Sequence, residues 1–167
     1  MTVRPATIDD VPAIRRIALL TWPAAYRPHI LGPAQLAYML ELFYAEDVLR
    51  AAIATGRERF LITGDAGAPS GFASYTPRHA PGTTHLHKLY VLPAAQGGGA
   101  GRILLQRVKE EALRSGDRAL ELNVNKHNPA IGFYRRHGFR IVRSETNDIG
   151  QGFVMDDHVM RADLRAG

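Results

Sequence analysis

Apolar residues recur at helical spacing at Val11, Ile14, Ile17 and Ala18, behind Asp9 and Asp10, either of which can cap a helix. Trp22-Pro23 is expected to end it. After Gly32-Pro33, the positions Leu36, Met39, Leu40 and Phe43 predict a second helix, and Val48 to Ala54 a third or an extension of it. Strand patterns follow at Phe60–Thr63 and, beyond the turn chemistry of Gly64 to Ser70, at Gly71–Tyr75 as a hairpin partner. His85 to Leu92 reads as a strand stopped by Pro93. A helix is expected from Ala100 to Arg114, with Leu104, Val108 and Ala112 on one face. Ala119–Asn125 alternates as a strand, Pro129 opens a helix to Arg136, and Phe139–Val142 and Phe153–Val159 close the chain as strands. A short edge strand at Val3–Ala6 tolerates Pro5. Helices and strands intermix, which predicts an α/β or α+β fold with a mixed sheet.

The 167 residues show no repeat, low-complexity tract or long linker, so one domain over 1–167 is expected. There is no cysteine, hence no disulfide, thiolate nucleophile or cysteine-ligated zinc. No apolar run approaches the ~18 residues of a membrane span, and Met1–Pro5 lacks the apolar core of a secretory signal. A cytoplasmic protein is the simplest expectation, with no membrane partner. The net charge of +5 is uneven: Pro77 to Arg143 holds 12 Lys and Arg against 4 Asp and Glu, and the rest is mildly acidic. Nucleic acid is the first thought for a basic segment. Yet there is no Lys/Arg run, zinc-finger spacing or aromatic RNA-binding motif, and a smaller polyphosphate suits the charge as well.

The sharpest local signal is the strand Leu89-Tyr90-Val91-Leu92-Pro93 leading into Gln96-Gly97-Gly98-Gly99-Ala100-Gly101-Arg102. Glycines let backbone approach a ligand, and the free N–H groups at a helix start form an anion site. A P-loop would need Gly-Lys-Ser/Thr, and Gly101-Arg102-Ile103 fails that; a dinucleotide fingerprint would need a third glycine where Arg102 or Leu104 stands. A plain flexible turn is the alternative. Downstream, Asn128-Pro129-Ala130-Ile131-Gly132-Phe133-Tyr134 precedes Gly138-Phe139. Gln96-x-x-Gly99-x-Gly101 and this second stretch, in this order, resemble the two signatures of the GNAT acetyltransferase superfamily. Further stretches, among them Leu86–Pro93, Leu122–Asn125 and Asp148–Asp157, resemble bacterial polyamine acetyltransferases of the spermidine/spermine type.

The resemblance implies a central mixed sheet of about seven strands, splayed between Leu89–Val91 and Leu120–Asn125 and flanked by about four helices. Acetyl-CoA would lie in the splay as cosubstrate, with no metal. Leu89, Tyr90 and Val91 would offer backbone groups to the pantetheine arm and acetyl carbonyl. Gln96, Gly97, Gly98, Gly99, Ala100, Gly101 and Arg102 would cradle the pyrophosphate. Asn128 would contact the CoA arm, although the family spacing Asn-x-x-Ala is one residue shorter here, so Asn125 or the His127 backbone are alternatives, as is a plain helix cap.

Tyr134 matches the tyrosine that protonates the CoA sulfur; a phenol of pKa near ~10 keeps its proton at neutral pH. The alternative is that Phe133 and Tyr134 are both core. Family glutamates stand four residues before the valine or on the next strand, where this chain has His87 and Asn123. His87 is therefore the candidate base, at a reference pKa near ~6.5, or else a sheet-filling residue; by alternation His85, His87 and Leu89 share a face. Glu121 is the fallback. For a cationic acceptor, Asp156, Asp157, Glu41, Glu46 and Asp47 are candidate carboxylates, and Trp22, Tyr26 and Tyr38 candidate channel walls. The expected activity is acetyl transfer to a primary amine of a small molecule, polyamine first. A protein N-terminal acetyltransferase and a non-catalytic CoA-binding regulatory module are the alternatives, and a homodimer is compatible with the family.

Overall fold

A computed structural model describes residues 2–25, 31–65 and 67–165. The strands are β1 (Thr2–Pro5), β2 (Arg59–Asp65), β3 (Ala68–Ala80), β4 (Thr83–Val91), β5 (Ala119–Asn125), β6 (Arg140–Gly150) and β7 (Phe153–Asp163). They form one seven-stranded sheet in the order β1-β2-β3-β4-β5-β7-β6. The helices are α1 (Val11–Ala25), α2 (Pro33–Tyr44), α3 (Glu46–Thr55), α4 (Ala100–Arg114) and α5 (Ala130–Arg136).

Every strand pair is antiparallel except β4 with β5. That parallel pair lasts only from Thr83↔Ala119 to Leu86↔Leu122. Beyond it β4 stays with β3 as far as Val91, and β5 stays with β7 as far as Asn125. The sheet therefore splits in the middle. A bulge sits where the split begins: Tyr75 faces Leu86 and Ser74 faces Lys88, leaving His87 unmatched. A bulge bends its strand and sharpens the local twist, which turns β4 away from β5.

Each face has its own core. Leu104, Leu105, Val108 and Ala112 of α4 pack with Leu86, Leu120, Leu122, Tyr134 and Phe139 on one side. Ile14 and Ile17 of α1, Met39 of α2 and Leu49 of α3 pack with Phe60, Ile62 and Phe72 on the other. Gly71 is needed where α4 crosses the sheet: a Cβ there would lie 3.1 Å from the Tyr90 carbonyl oxygen and 3.3 Å from Leu104 Cδ1.

The structure differs from the sequence expectations at several boundaries. The first helix runs past Trp22-Pro23 to Ala25. Proline in a last turn forfeits a single backbone bond, and the carbonyl it leaves, on Leu19, belongs to an exposed residue. Asp10 does not precede the first turn as its cap. It accepts from the Thr7 backbone N–H at 2.8 Å and from the Arg4 guanidinium, closing the turn from inside. β3 extends to Ala80 through an irregular stretch around Pro77 and Arg78. β6 and β7 each have 11 residues. β6 is an edge strand, mostly polar and exposed on both faces, so no alternation marks its length.

Candidate active site

The split opens a cavity of about 630 Å³ that passes through the sheet. Gly97, Gly99, Ala100, Gly101, Phe133 and Tyr134 line it on the α4–α5 side, and Thr21, Lys88 and Asn123 on the other. Its waist is the unpaired edge of β4, where Leu89, Tyr90 and Val91 form the wall. On that edge the β5-facing backbone groups have no strand partner past Leu86, so they can bond an extended ligand lying in the gap.

The glycine run forms the cradle. Gly97 and Gly99 hold φ of +86° and +89°, a left-handed conformation that side chains resist. Gly99 is the N-cap of α4 without a side-chain cap, and the first intrahelical bond is Ile103 N–H to the Gly99 carbonyl. The N–H groups of Ala100, Gly101 and Arg102 are thus the unsatisfied donors of a helix start, with the positive end of its dipole. Gln96 Nε2 donates to the Val91 carbonyl at 3.1 Å and ties the loop to the strand end. Burial together with the nearby Lys109, Arg136 and Arg102 depresses the His137 pKa, so positive charge gathers at this mouth. Open dipoles, glycine backbone and flanking cations fit a pyrophosphate. Arg136 lines the cavity but carries no sequence signal beyond its place two residues after Tyr134.

Of the residues expected to bind cofactor, Gly98 and Asn125 are not on the cavity wall. Asn125 is buried, and its Oδ1 accepts the His127 N–H at 2.9 Å. Asn128 does line the cavity, while its Oδ1 caps α5 through the Ala130 N–H at 2.8 Å. Tyr134 lines the cavity too, its ring held edge-on between Phe133 and Phe139.

The bulge rearranges the face opposite α4. Leu89 turns to the α4 core, whereas His85 and His87 point away from it and cluster with His79, ring centroids 4.9–5.8 Å apart. The expected shared face of His85, His87 and Leu89 is therefore broken by the extra residue. His87 Nε2 bonds Thr76 Oγ1 at 2.7 Å. Its ring also borders a second, smaller cavity with Glu58, Thr76 and His79. Burial pushes His87 and His85 down to about 4, so both imidazoles are neutral at pH 7 and weakly basic. Burial alone would raise the Glu58 carboxyl, but the Lys88 ammonium at 2.6 Å and hydrogen bonds from Lys88 and Ser74 hold it below the usual carboxylate range.

The other acceptor-side candidates scatter. Glu121 is paired with Arg161 at 2.7 Å and Arg143 at 3.4 Å. Glu41 and Glu46 make surface pairs with Arg15 and Arg50 and, like Asp47, do not border the cavity. Trp22 is core, against Phe43, Tyr44 and Tyr90. Tyr38 donates to the Ile149 carbonyl at 2.7 Å, and Tyr26 lies outside the described residues. Asp156 is exposed and pairs with Lys126; Asp157 is buried. Among the described residues no group of His, Asp and Glu could hold a metal, and no helix is long and apolar enough to cross a membrane.

Comparison with known proteins agrees with this geometry. Residues 14–139 match the model of the acetyltransferase (GNAT) family. An uncharacterized N-acetyltransferase of Bacillus subtilis, YuaI, is 27% identical over 164 residues, covering 92% of each chain. The peptidyl-lysine N-acetyltransferase YjaB of Escherichia coli is 38% identical over 73 residues, 42% of this chain and 46% of that one. The PaiA N-acetyltransferase of Thermoplasma acidophilum, crystallised with coenzyme A, superposes with a TM-score of 0.81 at 19% identity, over 98% of this chain and 100% of that one. The split sheet, the glycine cradle and these likenesses lead to one conclusion: the chain belongs to the acetyltransferase (GNAT) family and is an acetyl-CoA-dependent N-acetyltransferase.

Proposed function

We propose that the protein acetylates a primary amine of a small cationic molecule, with polyamines as the leading class. The observation that carries this is the cavity itself, which joins the anion-binding start of α4 to a face bearing Glu58 and His87. The carboxylates Glu145 and Asp157 stand on that same face, beside Asn123. In this reading Gly97 to Arg102 hold the pyrophosphate of acetyl-CoA and the β4 edge holds its pantetheine arm. A backbone N–H of that edge polarises the acetyl carbonyl.

Tyr134 delivers a proton to the sulfur as the C–S bond breaks. His87 stands on the acceptor side. Its depressed basicity suits a neutral hydrogen-bonding group better than one that keeps the amine's proton at neutral pH. Holding acceptor and thioester together supplies several kcal/mol of the barrier reduction, up to ~7–11 in the best cases.

A peptide lysine is the second reading, supported by the partial likeness to a peptidyl-lysine N-acetyltransferase. The test is a panel of spermidine, small monoamines, a lysine peptide and a free N-terminal peptide with acetyl-CoA, reading thiol release. Spermidine turned over in preference to both peptides supports the reading. Preference for the lysine peptide replaces it with the second one, and acetyl-CoA binding without thiol release from any amine overturns transfer altogether.

A further inference from the structure

The acceptor's proton needs a destination, and one side chain outside the cavity wall offers it. Asp157 on β7 is 2% exposed, and its Oδ1 has no hydrogen-bond partner. A buried polar atom left unsatisfied costs about 1–3 kcal/mol, more when charged, so such an atom calls for a functional account.

Its placement follows from register. Asp157 pairs with Asn125 of β5 and with Glu145 of β6, so these three side chains share one face of the sheet. Asn123 lies on that face too, two residues along β5. It is the face of the Glu121–Arg161 pair, opposite α4. Asn125 is also in the part of β5 that has left β4. Asp157 is therefore one strand spacing, about 4.8 Å, from the open edge of the split. Asn123 lies between the two: it lines the cavity, donates from Nδ2 to Glu145 Oε2 at 3.2 Å, and its amide favours the ionised form of the Asp157 carboxyl.

We propose that Asp157 receives the acceptor's ammonium group and takes its proton. This rests on the amine-transfer reading above. The ammonium N–H proton passes to Asp157 Oδ1, leaving a neutral amine. The nitrogen lone pair forms the C–N bond at the thioester carbonyl, and the C–S bond breaks. The nitrogen's second proton reaches the sulfur by way of the Tyr134 hydroxyl, which gives one proton and regains one. Asp157 then loses its proton to water.

The electrostatics agree. Burial first, then the charges of Asp156 on its own strand and Glu145 on β6, push the Asp157 carboxyl up to about 6, against the hydrogen bond from Asn123 and the charge of Lys126. A base of that strength is ionised at neutral pH and can still hold a proton. Environments that drive Asp157 up and His87 down separate the two roles.

The test compares the wild type with Asp157→Asn and His87→Gln, using acetyl-CoA and spermidine from pH 5 to 8.5. Aspartate ¹³C-carboxyl titration of the CoA-saturated protein runs in parallel. In the wild type, kcat/KM for spermidine is expected to rise with pH through an inflection near 6, and one carboxyl resonance to titrate there and shift when spermidine is added. Asp157→Asn should lose that resonance and the inflection, lower kcat by ~10²-fold or more, and keep its KM for acetyl-CoA. His87→Gln should keep the inflection. Turnover by Asp157→Asn with the wild-type profile, or an inflection lost only in His87→Gln, overturns the proposal and leaves amine transfer standing. No turnover of any amine by the wild type, with the resonance still shifting on spermidine, overturns amine transfer while the ammonium subsite stands.

Discussion

A buried carboxylate with one unsatisfied oxygen should be visible in the stability of the protein as well as in its activity. Asp157 titrates at about 6 in the folded chain against an ordinary value of 3.8. Its folded-state pKa is raised, so the folded state holds the proton more tightly. The stability contributed by the protonated acid is fully present below about 3.8 and is lost as pH rises through about 6. At about 1.4 kcal/mol per pH unit, that interval is worth about 3 kcal/mol. Asparagine has nearly the same shape, stays neutral, and can accept from the Asn123 amide. Asp157→Asn should therefore be more stable than the wild type by up to about 3 kcal/mol at pH 8 and equal to it near pH 4. For a chain of this length that is a rise in Tm of roughly 6–12 °C at pH 8. Thermal or urea unfolding of both proteins across pH 4–8 measures the difference, and taking the difference cancels the other titrating groups, His85 and His87 among them. A difference that does not change between pH 4 and pH 8 would refute the reasoning, because the carboxylate would then feel the same environment folded and unfolded. A variant more stable and less active than the wild type is the signature of a group kept for function at the expense of the fold.

Tyr134→Phe removes one hydroxyl from the cavity wall and should lower kcat by ~10²–10⁴-fold with unchanged acetyl-CoA affinity by calorimetry; a loss under about threefold, where chemistry limits the rate, assigns the proton to water. Gly99→Val forces a branched residue to φ +89°, costing about 1–2 kcal/mol of stability and weakening acetyl-CoA binding by far more than that, whereas Gly98→Ala, at a position off the cavity wall, should leave CoA binding unchanged. Lys88→Met strands Glu58 in a site where its side chain is 21% exposed, and should cost about 2 kcal/mol or more in urea unfolding, largely recovered by adding Glu58→Gln.

The helices and inner strands were legible in the sequence because their apolar spacing is a local property: Ile14, Ile17 and Ala18 on α1, and Leu104, Val108 and Ala112 on α4, face the core as their periods require. The glycine cradle was legible for the same reason, since a strand, a glycine run and a helix start are consecutive in the chain. What lay beyond local pattern was set by pairing. The bulge at His87 exists only in the register of β4 against β3, and it moves Leu89 and His87 to opposite faces, undoing the alternation that the sequence suggests. The length of β6 and β7 depends on their mutual hydrogen bonds, because polar edge residues carry no hydropathic signal. The adjacent pair Asp156 and Asp157 shows the division most sharply. As sequence the two are equivalent, but a strand places them on opposite faces. One then pairs with Lys126 in solvent, and the other is sealed beside the split sheet with an unsatisfied oxygen. Its carboxyl is shifted by burial and by Glu145, 12 residues away along the chain but directly across the strand pair.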